Sequence, residues 1–125
     1  MSVSGTFCVY EGGSRDAPVT ICLLHGAGYS ALTWSLMSHH LTSLVNVRVV
    51  ALDLRGHGES QVSDQEDMSC ETMASDIKHI LNALLGENHT GVVLIGHSMG
   101  GALAAAVAHE VCSRNYIHCS SSIMS

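Results

Sequence analysis

Aromatic residues are scarce here: one Trp, one Phe and three Tyr, 4% of the chain. With so few rings, an apolar content of 46% implies a core built from Val, Ile, Leu, Ala and Met. Lys and Arg total five against eleven Asp and Glu. No basic stripe exists, so the chain lacks a nucleic-acid footprint. No apolar run approaches the roughly 18 residues that a membrane span requires. The opening Met1-Ser2-Val3-Ser4-Gly5 has neither the positive region nor the apolar run of a secretory signal. The five cysteines, at 8, 22, 70, 112 and 119, are odd in number and irregularly spaced. They suit reduced thiols in a cytoplasmic or nuclear protein, not a disulfide framework. No pair has zinc-finger spacing and His39-His40 is a lone doublet, so no metal and no cofactor is expected. Nor is there an internal repeat.

What is present fits one small domain of 125 residues. Thr6-Phe7-Cys8-Val9-Tyr10 reads as an edge strand closed by a turn at Glu11-Gly12-Gly13-Ser14. Val19 to Leu24 is a continuous apolar, β-branched run of the kind buried on both sheet faces. Ser30 is an N-cap for a helix to Leu44, with apolar Leu32, Trp34, Leu36, Met37, Leu41 and Leu44. Val47 to Leu52 is a third strand and Asp53 to Ser60 its exit loop. Ser69 caps a helix from Cys70 to Leu85, with Gly86 as its stop. The acidic cluster Asp64, Glu66, Asp67, Glu71 and Asp76 reads as a solvated loop and first helical turn. A fourth strand then leads into an alanine-rich helix.

Strands alternating with helices predict an α/β class with a parallel sheet flanked by helices. Ligands in such sheets bind at the carboxyl ends of the strands. The three glycine-rich segments, 25–28, 55–58 and 96–101, all fall at those ends.

The strongest chemical signal is Gly96-His97-Ser98-Met99-Gly100, directly after Gly91-Val92-Val93-Leu94-Ile95. A buried strand entering Gly-x-Ser-x-Gly and then a helix is a nucleophile elbow of the α/β-hydrolase kind. Side chains at Gly96 and Gly100 would block the close approach of strand and helix. The turn lifts the Ser98 hydroxyl out of the backbone near a helix N-terminus, where developing negative charge is favoured. Acyl transfer needs two preorganised backbone N–H donors for the oxyanion. One is expected from Met99 and the other from the loop His25-Gly26-Ala27-Gly28, at Ala27, with Gly28 next. His25 is expected to brace that loop. Asp53 and Arg55 are expected to hold neighbouring loops by hydrogen bonds. His97 is no base, because adjacent side chains on a tight elbow diverge. Trp34, Met37 and Met99 could line an acyl pocket or simply pack the core.

Three segments together resemble an α/β-hydrolase: His25 to Trp34, Val49 to Glu59, and Ile95 to Ala102. More narrowly, Phe7-Cys8-Val9-Tyr10, Ser30-Ala31-Leu32-Thr33-Trp34 and the stretch Glu66 to Asp76 resemble the protein phosphatase methylesterase family. The likeness covers about residues 5–112 and departs at Ala27, where a glycine-only run is usual. It implies a nucleophile at Ser98 and oxyanion donors at Met99 and in the 26–28 loop. By the same likeness the partner is the protein phosphatase 2A catalytic subunit, whose C-terminal leucine methyl ester would be hydrolysed.

In this fold the acid and base of the triad follow the serine in chain order. After Ser98 the acidic residue is Glu110 and the histidines are His109 and His118, all on or just after the elbow helix. The reading is therefore a hydrolase domain over 5–114, truncated after the nucleophile-elbow helix, with an atypical tail at 115–125. The chain would be a weak or inactive product, with the elbow strand left at the sheet edge. The alternatives are another serine carboxylesterase or lipase-like hydrolase, and a non-catalytic phosphatase-binding or non-folding splice fragment.

Overall fold

Strands β3 (Thr20–Leu24) and β4 (Arg48–Leu52) are buried at every residue, as their unbroken apolar, β-branched runs require. In the computed structural model the described residues are 5–62, 66–86, 91–115 and 119–124. The two strands form the centre of a five-stranded sheet ordered β2-β4-β3-β6-β7. Here β2 is Val9–Gly13, β6 is Val92–His97 and β7 is Cys119–Met124. All neighbours are parallel except β2, which runs antiparallel to β4. A short ladder of β1 (Gly5–Thr6) with β5 (Gln61–Val62) ties the start of the described chain to the loop after β4.

The two-residue period of the strands sorts their side chains onto two cores. Cys22, Leu24, Val50, Leu52, Val92 and Leu94 face α2 (Cys70–Leu85) and α3 (Met99–Asn115), meeting Met73, Ile77, Leu81, Leu103 and Val107. Ile21, Leu23, Val49 and Ala51 point the other way, under Ala31 and Trp34. Those two lie in a 3-10 turn, Ala31–Trp34, that leads into α1 (Ser35–Leu44). Trp34 and Met37 therefore pack against the core on this face, whereas Leu36 stays exposed. Burial also pushes the Cys22 thiol up to about 12, which keeps it an unreactive core group.

Helix α2 keeps its expected limits. The Ser69 hydroxyl accepts from the Thr72 N–H at 3.3 Å, and Gly86 ends the helix at φ +84°. Two expectations change. Glu11-Gly12-Gly13 of the expected turn is instead the continuation of β2, whose Glu11 carboxylate meets the Arg48 guanidinium at 3.2 Å. Gly13, at φ +75°, lets this edge pass so close to Val47 that a Cβ would strike its carbonyl. Nor is the elbow strand the sheet edge. β7 pairs with it from Val92↔Cys119 to His97↔Met124, so the outer backbone groups of β6 are hydrogen-bonded. Residues 1–4, Asp64 and His118 lie outside the described residues.

Candidate active site

Because β3, β4 and β6 are parallel, their carboxyl ends open onto one edge of the sheet, and three loops meet there. The first is the elbow. Ser98 is the one non-glycine at positive φ among the described residues, at +55°, a conformation that surrounding structure must enforce. The glycines on either side do so. A Cβ on Gly96 would collide with the Gly100 carbonyl, and one on Gly100 with the carbonyls of Leu24 and His25. Ser98 is exposed, and its carbonyl accepts from the N–H groups of Gly101 at 2.9 Å and Ala102 at 3.2 Å. Met99 is the first residue of α3, where the N–H has no partner within the helix and meets the positive end of its dipole.

The second loop follows β3. The His25 ring is fully buried. Its Nδ1–H donates to the Gly26 carbonyl at 2.8 Å, and its Nε2 accepts from the Leu54 N–H at 3.0 Å. That pair of bonds needs a neutral imidazole, and burial holds its pKa below the ordinary histidine value. Gly26 leaves room for the neighbouring His97, whose Nδ1 a Cβ there would crowd at 2.9 Å. His97 stacks edge-on to Tyr29, with ring centroids 5.8 Å apart, and its buried Nδ1 has no hydrogen-bond partner among the described residues.

The third loop, after β4, braces the second. Asp53 is buried, and its carboxylate accepts from the N–H groups of Ala31 at 2.8 Å and Glu59 at 2.9 Å. With one oxygen on each amide, it acts as a structural clamp. Gly58, at φ +55°, leaves no room for a side chain against that carboxylate. The Ser60 hydroxyl donates to the Asp53 carbonyl at 2.6 Å and accepts from the Cys8 N–H at 2.8 Å. Arg55 donates through Nε and Nη2 to the two Asp76 oxygens at 2.7 and 3.0 Å. His57 donates from Nδ1 to the Arg55 carbonyl at 2.9 Å, and its Nε2 accepts from the Gly28 N–H at 3.1 Å.

The structure thus brings Ser98, Met99 and the 25–28 loop to one end of the sheet. It separates two donors that the sequence left as neighbours. The Gly28 N–H is committed to His57, whereas the Ala27 N–H has no acceptor among the described residues. Asp76 corrects the reading of the acidic cluster, because it is buried against Arg55 and not solvated. The signal was available: Met73, Asp76, Ile77 and Ile80 share one helical face, so Asp76 sits on an apolar stripe. His57 was legible only as part of a charged loop, and nothing local marks its reach to Gly28. No described side chain hydrogen-bonds the Ser98 hydroxyl. His109 is exposed on α3, and Glu110 pairs with Lys78 of α2.

Residues 23–124 match the family model described as the alpha/beta hydrolase family. The chain belongs to the α/β-hydrolase family. Among α/β-hydrolases it is 52% identical over 103 residues to protein phosphatase methylesterase 1 of Mus musculus, an alignment covering 82% of this chain and 26% of that protein. The Homo sapiens protein of the same name is 50% identical over 103 residues, again with 82% and 26% covered. That of Schizosaccharomyces pombe is 38% identical over 113 residues, covering 87% of this chain and 33% of the relative. The chain thus spans about a quarter of the length of the mammalian relatives it matches. An esterase from Thermogutta terrifontis superposes at a TM-score of 0.74 with 32% identity, covering 89% of this chain and 38% of that one. The thioesterase domain from the curacin biosynthetic pathway gives a TM-score of 0.74 with 28% identity, covering 92% and 42%.

Proposed function

We propose that this chain carries the nucleophile and oxyanion half of a serine carboxylic-ester hydrolase of the protein phosphatase methylesterase kind. Its substrate would be the C-terminal leucine methyl ester of the protein phosphatase 2A catalytic subunit. The observation that carries the reading is Ser98 at φ +55°, held up between Gly96 and Gly100 at the head of α3. In the reaction, the Ser98 oxygen attacks the ester carbonyl carbon while a base takes its proton. The N–H groups of Met99 and Ala27 hold the oxygen that becomes negative. Collapse of the tetrahedral adduct breaks the bond to the methoxy oxygen, which leaves as methanol with the proton from the base. Water then attacks the acyl-serine in the same way and frees the carboxylate. The base and its carboxylate partner come from outside the described residues, since none of these hydrogen-bonds the Ser98 hydroxyl. The same observation favours a second reading, a non-catalytic module that binds the phosphatase.

Among the described residues no helix is long and apolar enough to cross a membrane, and a cytoplasmic or nuclear site of action suits the proposed substrate. Labelling of the purified chain with a fluorophosphonate serine-hydrolase probe, beside Ser98→Ala, tests the nucleophile. Label that vanishes in Ser98→Ala supports Ser98 as an activated nucleophile and places its base within the 125 residues. No label from a monomeric, cooperatively melting sample favours the binding module. Turnover of a methylated phosphatase C-terminus should fall about 10⁴-fold or more below that of a full-length relative, the scale of losing a catalytic base.

A further inference from the structure

An oxyanion donor is useful only if its peptide plane is held still before the substrate arrives. In the loop after β3, the Tyr29 N–H donates to the Gly26 carbonyl at 3.1 Å and the Gly28 N–H to His57 Nε2 at 3.1 Å. The Ala27 N–H precedes both, without an acceptor among the described residues. The carbonyl of its own peptide, that of Gly26, is held by Tyr29 and by His25 Nδ1, and the peptide that follows it is held by His57. Gly28 adopts φ +81° with open space where a Cβ would stand, so its part in the loop is backbone direction. The acceptor on His57 is set from behind. Its Nδ1–H donates to the Arg55 carbonyl, which leaves the Nε2 lone pair facing Gly28. Arg55 is itself clamped to Asp76 of α2 by two charged hydrogen bonds. His25, its own ring bonded at both nitrogens, lies 4.9 Å from the His57 ring and limits its swing.

We propose that His57 is the positioning residue of the oxyanion loop. By accepting the Gly28 N–H it transmits the rigidity of α2, through Asp76 and Arg55, to the peptide that follows Ala27, and so fixes the C-terminal side of the Ala27 donor. Its consequence for chemistry rests on the ester-hydrolase reading; the hydrogen bond itself does not.

The test uses the full chain, 15N-labelled, with hydrogen exchange followed at Gly28 and with Leu23 and Val50 as core references. His57→Phe keeps a ring without an acceptor, and His57→Gln restores a carbonyl oxygen near the position of Nε2. In His57→Phe the Gly28 amide should exchange about 10-fold faster while the core amides hold, the scale of one lost hydrogen bond. The maximal rate of fluorophosphonate labelling at Ser98 should drop about 10²-fold in the same variant, the cost of a misplaced catalytic group. The half-saturating probe concentration should barely move, and His57→Gln should recover most of both losses. Unchanged Gly28 exchange in a folded His57→Phe overturns the proposal. If that variant does not fold, the wild type decides. A fast-exchanging Gly28 amide, or His57 15N shifts showing the proton on Nε2, overturns it; a protected amide with the proton on Nδ1 upholds it. A wild type that takes no label removes the labelling readout, as for a chain without its base, and leaves the exchange result to judge His57.

Discussion

Arg55 and Asp76 bury opposite charges against each other, with side chains 6% and 2% exposed. Such pairs can be nearly neutral for stability as they stand, yet removing one partner strands the other charge away from water. Asp76→Ala is therefore expected to lower the unfolding free energy by about 3–5 kcal/mol, read from urea midpoints at unchanged slope. His25 makes a pH-dependent contribution of definite sign. Its folded-state pKa is lowered, so on acidification the unfolded chain takes up a proton that the folded chain resists. Above about pH 6.5 this residue adds no slope; as pH falls below that value, stability is lost. His25→Gln should flatten that limb of a plot of urea midpoint against pH. An unaltered slope would assign the acid sensitivity to other histidines.

Helix α2 is set by chemistry at its two ends. Ser69 accepts from the Thr72 N–H, and the Thr72 hydroxyl donates to the Asp67 carboxylate at 2.8 Å. That bond and the Ser69 N–H hold the Asp67 carboxyl below its usual range. Ser69→Ala should cost about 1 kcal/mol, the ordinary value of an N-cap, whereas Ser69→Asp should cost little. The elbow into α3 is far less tolerant. A methyl group on Gly100 meets the carbonyls of Leu24 and His25, so β3 and α3 would have to part. Gly100→Ala is expected to cost about 1–3 kcal/mol as overpacking and to abolish probe labelling even where the chain still melts cooperatively. Full labelling in that variant would show that the close approach is not what lifts Ser98.

At the scale of the whole molecule, the sheet has helices on both faces, but its core is asymmetric. Residues of β6 on the α2–α3 side are buried, while Val93, Ile95 and His97 on the other side are half-buried. The backbone of β6 is nonetheless closed off by β7. A chain ending at Asn115 would present the outer edge of β6 as an unpaired, apolar template for other chains. It should sediment as concentration-dependent oligomers and melt with less cooperativity than the 125-residue chain. Monomeric behaviour of that shorter chain would mean that β7 contributes little to closing the sheet.

The elements that were legible beforehand are those whose cause lies in contiguous residues. The apolar runs of β3 and β4, the Ser69 and Gly86 limits of α2, and the elbow around Ser98 follow from short-range sterics, capping and periodicity. What the tertiary structure decided depends on groups brought together across the sheet. Gly28 meets His57 over a separation of 29 residues, and Arg55 meets Asp76 over 21. Which amide of the 26–28 loop stays open, which acid of the cluster is buried, and which strand covers β6 were settled only by strand order and register. A residue's own neighbours in the chain determine its backbone and its face. Its hydrogen-bond partner, and so whether its N–H is free to act, is determined by what the fold sets beside it.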